Sequence, residues 1–405
     1  MTIPSRPDPR SASPASRREF LRAAATVGAL AAVSPVSLAM DPRAKPRRQP
    51  GEADRKMKIL ILGGTGFLGP IMVRHALARG HEVTLFNRGT RDEMFPDLEQ
   101  ILGDRYEDNA LDGLKGRQFD ACIDTWTYLP FIVRRSAQAL KDSVGNYLMV
   151  STISVYGERN DVDMTEDAPL ATMPAHIVPT ITTNRQIGEH YGALKALCEQ
   201  TIADVMGGRS CNVRPGLIVG PRDPSNRWTW WPWRVRKGGD MIGPGKPEHY
   251  TQIIDVRDCG EFCVTAAERS LTGDYNCVTP SRAMTMGSML DACKRVTNSD
   301  ATFTWIDQDF LEAQGVSAWG HMPAWIPPTA DGYEGFGQLS VEKSVANGLT
   351  FRPLEDTVKV TLEWLDTLTP EQVAAIAGGF VEGRNGGVPP EMEAAVLAAW
   401  KARNG

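Results

Sequence analysis

The sequence predicts an α/β protein built on a doubly wound parallel sheet, and three observations carry that expectation. The apolar run Lys58-Ile59-Leu60-Ile61-Leu62 is of strand type, passes directly into Gly63-Gly64-Thr65-Gly66-Phe67-Leu68-Gly69, and is followed by a helical pattern through Ala78. Strand and helix patterns then keep alternating. A later strand, Asn146-Tyr147-Leu148-Met149-Val150, ends in hydroxyl-bearing residues, with a helical segment containing Tyr191 and Lys195 downstream.

Each element has a chemical reading. A strand, a glycine turn and a helix in that order meet the needs of a dinucleotide pyrophosphate. The glycines allow a tight turn and close backbone approach, and the helix N-terminus presents N–H groups to the anion. Gly63, Gly64, Thr65, Gly66, Phe67, Leu68 and Gly69 are therefore candidate cofactor-binding residues. Gly80 to Phe86 reads as the second strand, and where a ribose-binding acid is expected the chain has Asn87 followed by Arg88. No carboxylate there would repel a 2′-phosphate and Arg88 could pair with one, which leans from NAD toward NADP; Asn87 suits a free 2′-hydroxyl as well. Gln100 to Asp104 and Phe119 to Asp124 read as strands three and four, with Asp104 either at the adenine edge or capping a loop.

In a helix, positions four apart share a face, so Tyr191 and Lys195 project into one cleft. An ammonium beside a phenol favours the phenolate and draws its pKa down from about 10. Tyr191 then becomes a usable general base, with the Thr152 hydroxyl at a neighbouring strand end orienting the substrate oxygen.

Composition narrows the partners. The 405 residues carry 44 Lys+Arg against 49 Asp+Glu, but residues 1–56 hold 11 basic and 5 acidic side chains, leaving 33 against 44 in the body. A body this acidic is a poor partner for nucleic acid or anionic lipid. The six histidines are scattered and the seven cysteines form no metal-ligand set, so no metal is expected, and the cysteines read as buried free thiols.

The basic N-terminus has its own meaning. Arg17-Arg18-Glu19-Phe20-Leu21, an Ala-rich apolar stretch and Ser37-Leu38-Ala39 before Met40 resemble a twin-arginine export signal over residues 1–39. Pro- and Arg-rich residues 40–56 read as a linker. The resemblance implies the twin-arginine export machinery as a partner, a periplasmic or secreted location, and no stable membrane insertion once the signal is cleaved.

Taken in order, the glycine turn, the strand-end Thr152 and the Tyr191/Lys195 pair resemble the extended short-chain dehydrogenase/reductase superfamily, the NAD-dependent epimerase/dehydratase group. Agreement extends to Thr165-Glu166-Asp167-Ala168-Pro169, to residues 213–221 and to Ile254-Asp255-Val256-Arg257-Asp258. The resemblance implies a Rossmann-type NAD(P)-binding domain over 57–215, a smaller α/β substrate-binding region over 216–368 with segments returning to the first domain, and a helical tail over 369–405. It assigns Thr152 to polarising the reacting oxygen, Tyr191 to acid/base work, and Lys195 to tuning the tyrosine and holding the nicotinamide ribose. A homodimer is compatible with it.

Departures shape the reaction. Ile153-Ser154 stand where dehydratase members carry an Asp-Glu pair, which disfavours water elimination, and Arg214-Pro215-Gly216 stand where nucleotide-sugar members usually show Asn. The gap from Thr152 to Tyr191 is longer than usual, which points to an inserted loop near the cleft. Trp126, Ser154, Arg214, Trp228 and Trp231 are the candidate substrate contacts. Four tryptophans within Trp228 to Trp233 could stack on a small-molecule substrate such as a sugar, or seal a hydrophobic junction. A compartment outside the inner membrane is not expected to supply free nicotinamide nucleotides. The expected chemistry is therefore redox-neutral on a retained cofactor, epimerisation through a transient ketone, with net oxidation or reduction, or a non-catalytic nucleic-acid-associated role that the resemblance also implies, as the alternatives.

Overall fold

The computed structural model describes residues 51, 53–377 and 386–404; the twin-arginine segment and most of the linker lie outside them. In chain order the first lobe runs β1 (Lys58–Leu62), α1 (Gly69–Ala78), β2 (Glu82–Asn87), β3 (Glu99–Leu102), β4 (Phe119–Asp124), α2 (Pro130–Leu140), β5 (Val144–Val150), α3 (Asn184–Glu189), α4 (Tyr191–Met206) and β6 (Ser210–Pro215). The chain continues through β7 (Leu217–Val219), α5 (Trp230–Arg236), β8 (Asp240–Pro244), β9 (Ile253–Asp255), α6 (Val256–Glu268), β10 (Gly273–Cys277), α7 (Met286–Thr297), β11 (Thr302–Ile306) and α8 (Gln308–Ala313). It closes with α9 (Glu342–Ala346), α10 (Leu354–Leu365), α11 (Pro370–Ala377) and α12 (Pro390–Asn404).

Seven strands pair in the order β3-β2-β1-β4-β5-β6-β10, all parallel. Alternation explains the two-sided core. Along β1, Ile59 and Ile61 face α1 and α6 through Met72, Val73 and Phe262, whereas Leu60 and Leu62 face α2 and α4 through Val133, Ala137 and Ile202. A strand buried on both faces must read as a continuous apolar run, which is why β1 was so plain in the sequence. The order reverses between β1 and β4, so their C-terminal ends diverge and leave a crevice where ligands bind in this class of sheet.

The α6–β10 unit returns to the large sheet from beyond β6, so the first lobe is not one continuous stretch of chain. The second lobe holds a separate core in which Trp228, Trp230, Trp231 and Trp233 pack with Met286, Met289, Leu290, Val358 and Leu362. The tail helix α12 docks there through Val396 and Leu397, with Glu393 accepting from Arg234 Nε at 2.6 Å. All seven cysteines are buried free thiols. No helix among the described residues is long and apolar enough to cross a membrane.

Candidate active site

The crevice above β1 and β4 is a cleft of about 670 Å³, within the ordinary range for a sizeable ligand. Gly63, Thr65, Gly66, Phe67, Leu68 and Gly69 line it. Gly64 does not, and its expected role is corrected: a Cβ there would lie 2.6 Å from Leu85 Cδ2, so the position serves packing of the turn onto β2. A Cβ on Gly69 would meet the Gly64 carbonyl carbon at 2.5 Å, which explains the glycine where helix and turn touch. A Cβ on Gly66 would meet nothing nearer than 4.0 Å, so there the bare backbone fronts the open cleft. The N-terminus of α1 has no side-chain cap. Bare turn, uncapped helix start and cleft size together fit a dinucleotide.

At the far end, Asn87, Arg88 and Asp104 all line the cleft. Asn87 is buried and engaged, its Nδ2 donating to Gln100 Oε1 at 2.9 Å and its Oδ1 accepting from the Gly89 amide at 2.8 Å. Arg88 is exposed, and Asp104 Oδ1 accepts from the Tyr106 amide at 3.1 Å. Sequence reasoning missed the neighbouring anchor. Arg105 Nη1 meets the fully buried Asp124 Oδ2 at 2.7 Å, its Nη2 donates to the Trp126 carbonyl at 2.6 Å, and Tyr147 donates to Asp124 Oδ2 at 2.7 Å. The network fixes the loop after β4 and holds Trp126 in the cleft wall, edge-on between Tyr106 and Tyr128.

The chemical end lies where β5 stops. Thr152 follows Val150 and Ser151, and α4 begins at Tyr191, so a strand end and a helix start meet. Gly192 makes the approach possible, because a Cβ there would overlap the Ser154 carbonyl oxygen. Thr152 Oγ1 accepts from the Ser154 amide at 3.1 Å, and Thr152, Tyr191 and Lys195 all line the large cleft. Lys195 Nζ donates to the Val150 carbonyl at 2.7 Å and to Thr127 Oγ1, and it sits 5.5 Å from the Tyr128 ring centroid. The Tyr128 ring lies 6.1 Å from that of Tyr191.

These contacts alter the electrostatics expected from the sequence. Burial raises the Tyr191 phenol well above its ordinary value; Thr152 and Arg227, not Lys195, are the groups that pull it down. The one-turn spacing brought both side chains to one cleft, but the ammonium is spent on strand-end oxygens. Burial lowers Lys195 from 10.5 to about 8. Between those values the unfolded chain binds the extra proton, so the buried ammonium costs stability below pH 8, and that cost fades as pH rises to 10.5. Lys195→Met is accordingly expected to melt above the parent at pH 7, with the gap closing by pH 10.5 in parallel thermal scans; a gap constant with pH would contradict this origin.

A second chamber of about 190 Å³ adjoins the cleft, and Thr152, Tyr191, Gly216 and Arg227 line both. Ser154 lies in its wall. Arg214, Trp228 and Trp231 do not line either space, which corrects their expected substrate roles. Arg214 is 1 % exposed, with Nη2 2.7 Å from Glu199 Oε2 and 2.8 Å from Asp274 Oδ2 and Nη1 donating to the Glu166 carbonyl at 2.9 Å; it is an internal tie between β6, α4 and β10. Trp228 and Trp231 are fully buried, donating to Thr361 Oγ1 and the Pro323 carbonyl, each at 2.9 Å. The cluster is the core of the second lobe; the ring donors of Trp228 and Trp231 are satisfied, whereas those of Trp230 and Trp233 are buried without a partner. Sequence reasoning pointed to the aromatic stretch Trp319 to Trp325 as a second cover for the cleft, and Trp319 lines the chamber; it missed Arg159, Tyr128, Tyr333 and Phe336.

Comparisons with known proteins follow the same lines. Residues 59–128, from β1 to the loop after β4, match the model of the NAD dependent epimerase/dehydratase family. The chloroplast stem-loop binding protein of 41 kDa b from Arabidopsis thaliana is 24% identical over 260 residues, which cover 60% of this chain and 64% of the relative. A UDP-glucose 4-epimerase from Corynebacterium glutamicum is 27% identical over 132 residues, 28% of this chain and 40% of the relative. The chain thus spans less than two thirds of either curated relative. Among solved structures, the Bordetella bronchiseptica enzyme WbmH in complex with NAD+ superposes with a TM-score of 0.57 at 18% identity, covering 77% of this chain and 99% of that one. A likeness at that identity establishes the fold: a Rossmann-type doubly wound sheet with an attached second lobe.

Proposed function

We propose that the protein is an NAD(P)-dependent, epimerase-type oxidoreductase that acts on a hydroxyl or keto substrate through a transient ketone while retaining its cofactor. One observation carries the reading: Thr152 and Tyr191 both stand at the seam between a dinucleotide-sized cleft and a smaller chamber. The family match over the glycine turn and the NAD+ complex of the similar WbmH structure support the cofactor class.

When bound, a nicotinamide supplies reversible two-electron oxidation of a carbinol carbon. The chain supplies the rest. Gly63, Thr65, Gly66, Phe67, Leu68 and Gly69 would cradle the pyrophosphate, with Arg88 and Asp104 toward the adenosine and Lys195 toward the nicotinamide ribose. Thr152 orients the substrate oxygen, and Tyr191 takes its proton and later returns it. Arg227 acts on the same phenol from the chamber side and favours its ionised form.

Export is part of the proposal and rests on Arg17-Arg18 and the apolar stretch after them. Where free nucleotides are not supplied, a retained cofactor restored in each turnover is the workable arrangement. Free NAD(P)H absorbance growing in step with product would sink the redox-neutral scheme, whereas turnover without it is expected. For the 2′ position, the exposed Arg88 favours a phosphate by charge. Arg88→Ala is expected to weaken NADP about tenfold, roughly 1.4 kcal/mol, and to leave NAD nearly unchanged in fluorescence titrations.

A second reading follows from the relative named for stem-loop binding. The body's 33 basic against 44 acidic side chains oppose it, and failure to bind an RNA column at low salt is the expected outcome.

A further inference from the structure

The chamber beyond Tyr191 has walls of two kinds. Ile326, Trp319, Tyr333 and Phe336 form an apolar, largely aromatic side, with Trp319 edge-on to Phe336 at 5.9 Å. Two guanidinium groups share the lining, each over one of those rings: Arg159 lies 4.6 Å from the Tyr333 centroid and Arg227 5.2 Å from that of Trp319. A guanidinium over an aromatic face is held by the ring quadrupole and can still donate hydrogen bonds.

Neither arginine is neutralised. Arg227 Nε donates to Ser225 Oγ at 3.0 Å, Arg159 Nη1 donates to the Ile153 carbonyl at 3.3 Å, and Arg159 Nε is buried without a partner. Among the described residues no carboxylate lies within ion-pair distance of either. Asp223 acts on Arg227 through space, but its own oxygens accept from the Ser225 amide and hydroxyl and the Trp228 amide. Burial disfavours the Arg227 cation, so an anion entering the chamber recovers part of that cost.

Size sets the other limit. A space of about 190 Å³ is worth roughly six waters at about 30 Å³ each. It falls below the roughly 300–1,000 Å³ of sites for drug-sized ligands. A single sugar ring or a short hydroxy acid fits within it; a nucleoside diphosphate sugar, the substrate class in the name of the Corynebacterium glutamicum relative, would have to extend beyond it.

We propose that this chamber takes a small hydroxy acid, one sugar-sized unit bearing a single carboxylate, with the carboxylate on Arg159 and Arg227, its apolar face on Trp319, and the reacting hydroxyl at Thr152 and Tyr191. The proposal rests on the oxidoreductase reading and adds the substrate class to it.

The test is calorimetric titration of the full-length protein as purified with D-galacturonate, D-gluconate, D-galactose and UDP-glucose, after its nucleotide content has been measured by acid release. At least one of the two acids is expected to bind at least about tenfold more tightly than galactose, and UDP-glucose no better than galactose. Arg159→Gln and Arg227→Gln are each expected to lower acid affinity about tenfold or more and to lower galactose affinity by much less. Tighter binding of UDP-glucose than of either acid, equal binding of acid and neutral sugar, or no binding of either acid would overturn the proposal. Because the wild-type series alone decides these points, a variant that fails to fold does not remove the test. Bound dinucleotide without acid binding sinks this proposal alone, whereas a missing dinucleotide sinks the oxidoreductase reading beneath it.

Discussion

Tyr191→Phe is expected to lower kcat by roughly 10²–10⁴-fold while leaving bound nucleotide and folding stability close to those of the parent. The phenol oxygen is the proton-transfer atom of this scheme, so removing it deletes chemistry and little packing. The ring persists against Tyr128. Thr152→Val should share the kcat loss at smaller size, because it removes the orienting hydroxyl but leaves the base. Steady-state rates alongside nucleotide content and melting temperature check the prediction; unchanged turnover in Tyr191→Phe would remove the acid/base assignment.

Arg214→Met is expected to destabilise the fold by about 3–5 kcal/mol, because it leaves the Glu199 carboxylate buried and uncompensated. That corresponds to roughly 10 °C in Tm at about 2–4 °C per kcal/mol. Glu199 would keep the Ser151 hydroxyl and lose both guanidinium contacts, at 3.0 and 2.7 Å. Burial holds the Glu199 carboxyl above its ordinary value even with Arg214 beside it. The intact pair is therefore worth little against an apolar replacement, and breaking it is what costs. Arg214→Met with Glu199→Leu should recover most of the loss. Melting curves of the single and double variants decide this, and substrate KM in the folded fraction should not move. A raised KM with unchanged Tm would return Arg214 to the substrate site.

The contrast between these two residues shows what local sequence can reveal. The glycine turn and the Tyr191/Lys195 spacing are local patterns whose geometry follows from strand, turn and helix periodicity, so their placement in one cleft was legible. Arg214 and Trp228 were legible only as residue types. A charge in a strand and an aromatic cluster each suit a ligand or a core, and packing between elements decided for the core: Glu199 on α4 is 15 residues from Arg214, and Asp274 on β10 and Thr361 on α10 come from far along the chain. Arg159 and Tyr333 left no local signal. Their meeting depends on backbone pairing between distant loops, in which the Arg159 amide donates to the Gly332 carbonyl and the Gly335 amide to the Arg159 carbonyl. The Lys195 environment was missed for a related reason. Spacing places a side chain on a helix face, but the competing acceptors come from elsewhere in the chain, Val150 at the end of β5 and Thr127 in the loop after β4.

The most direct test of the central claim is acid release and mass identification of nucleotide from the purified full-length protein. Near-stoichiometric NAD or NADP, lost when Gly66→Val places a side chain in the cleft, is the expected result. A wild-type protein that carries no dinucleotide and takes up neither NAD nor NADP on incubation would contradict the account.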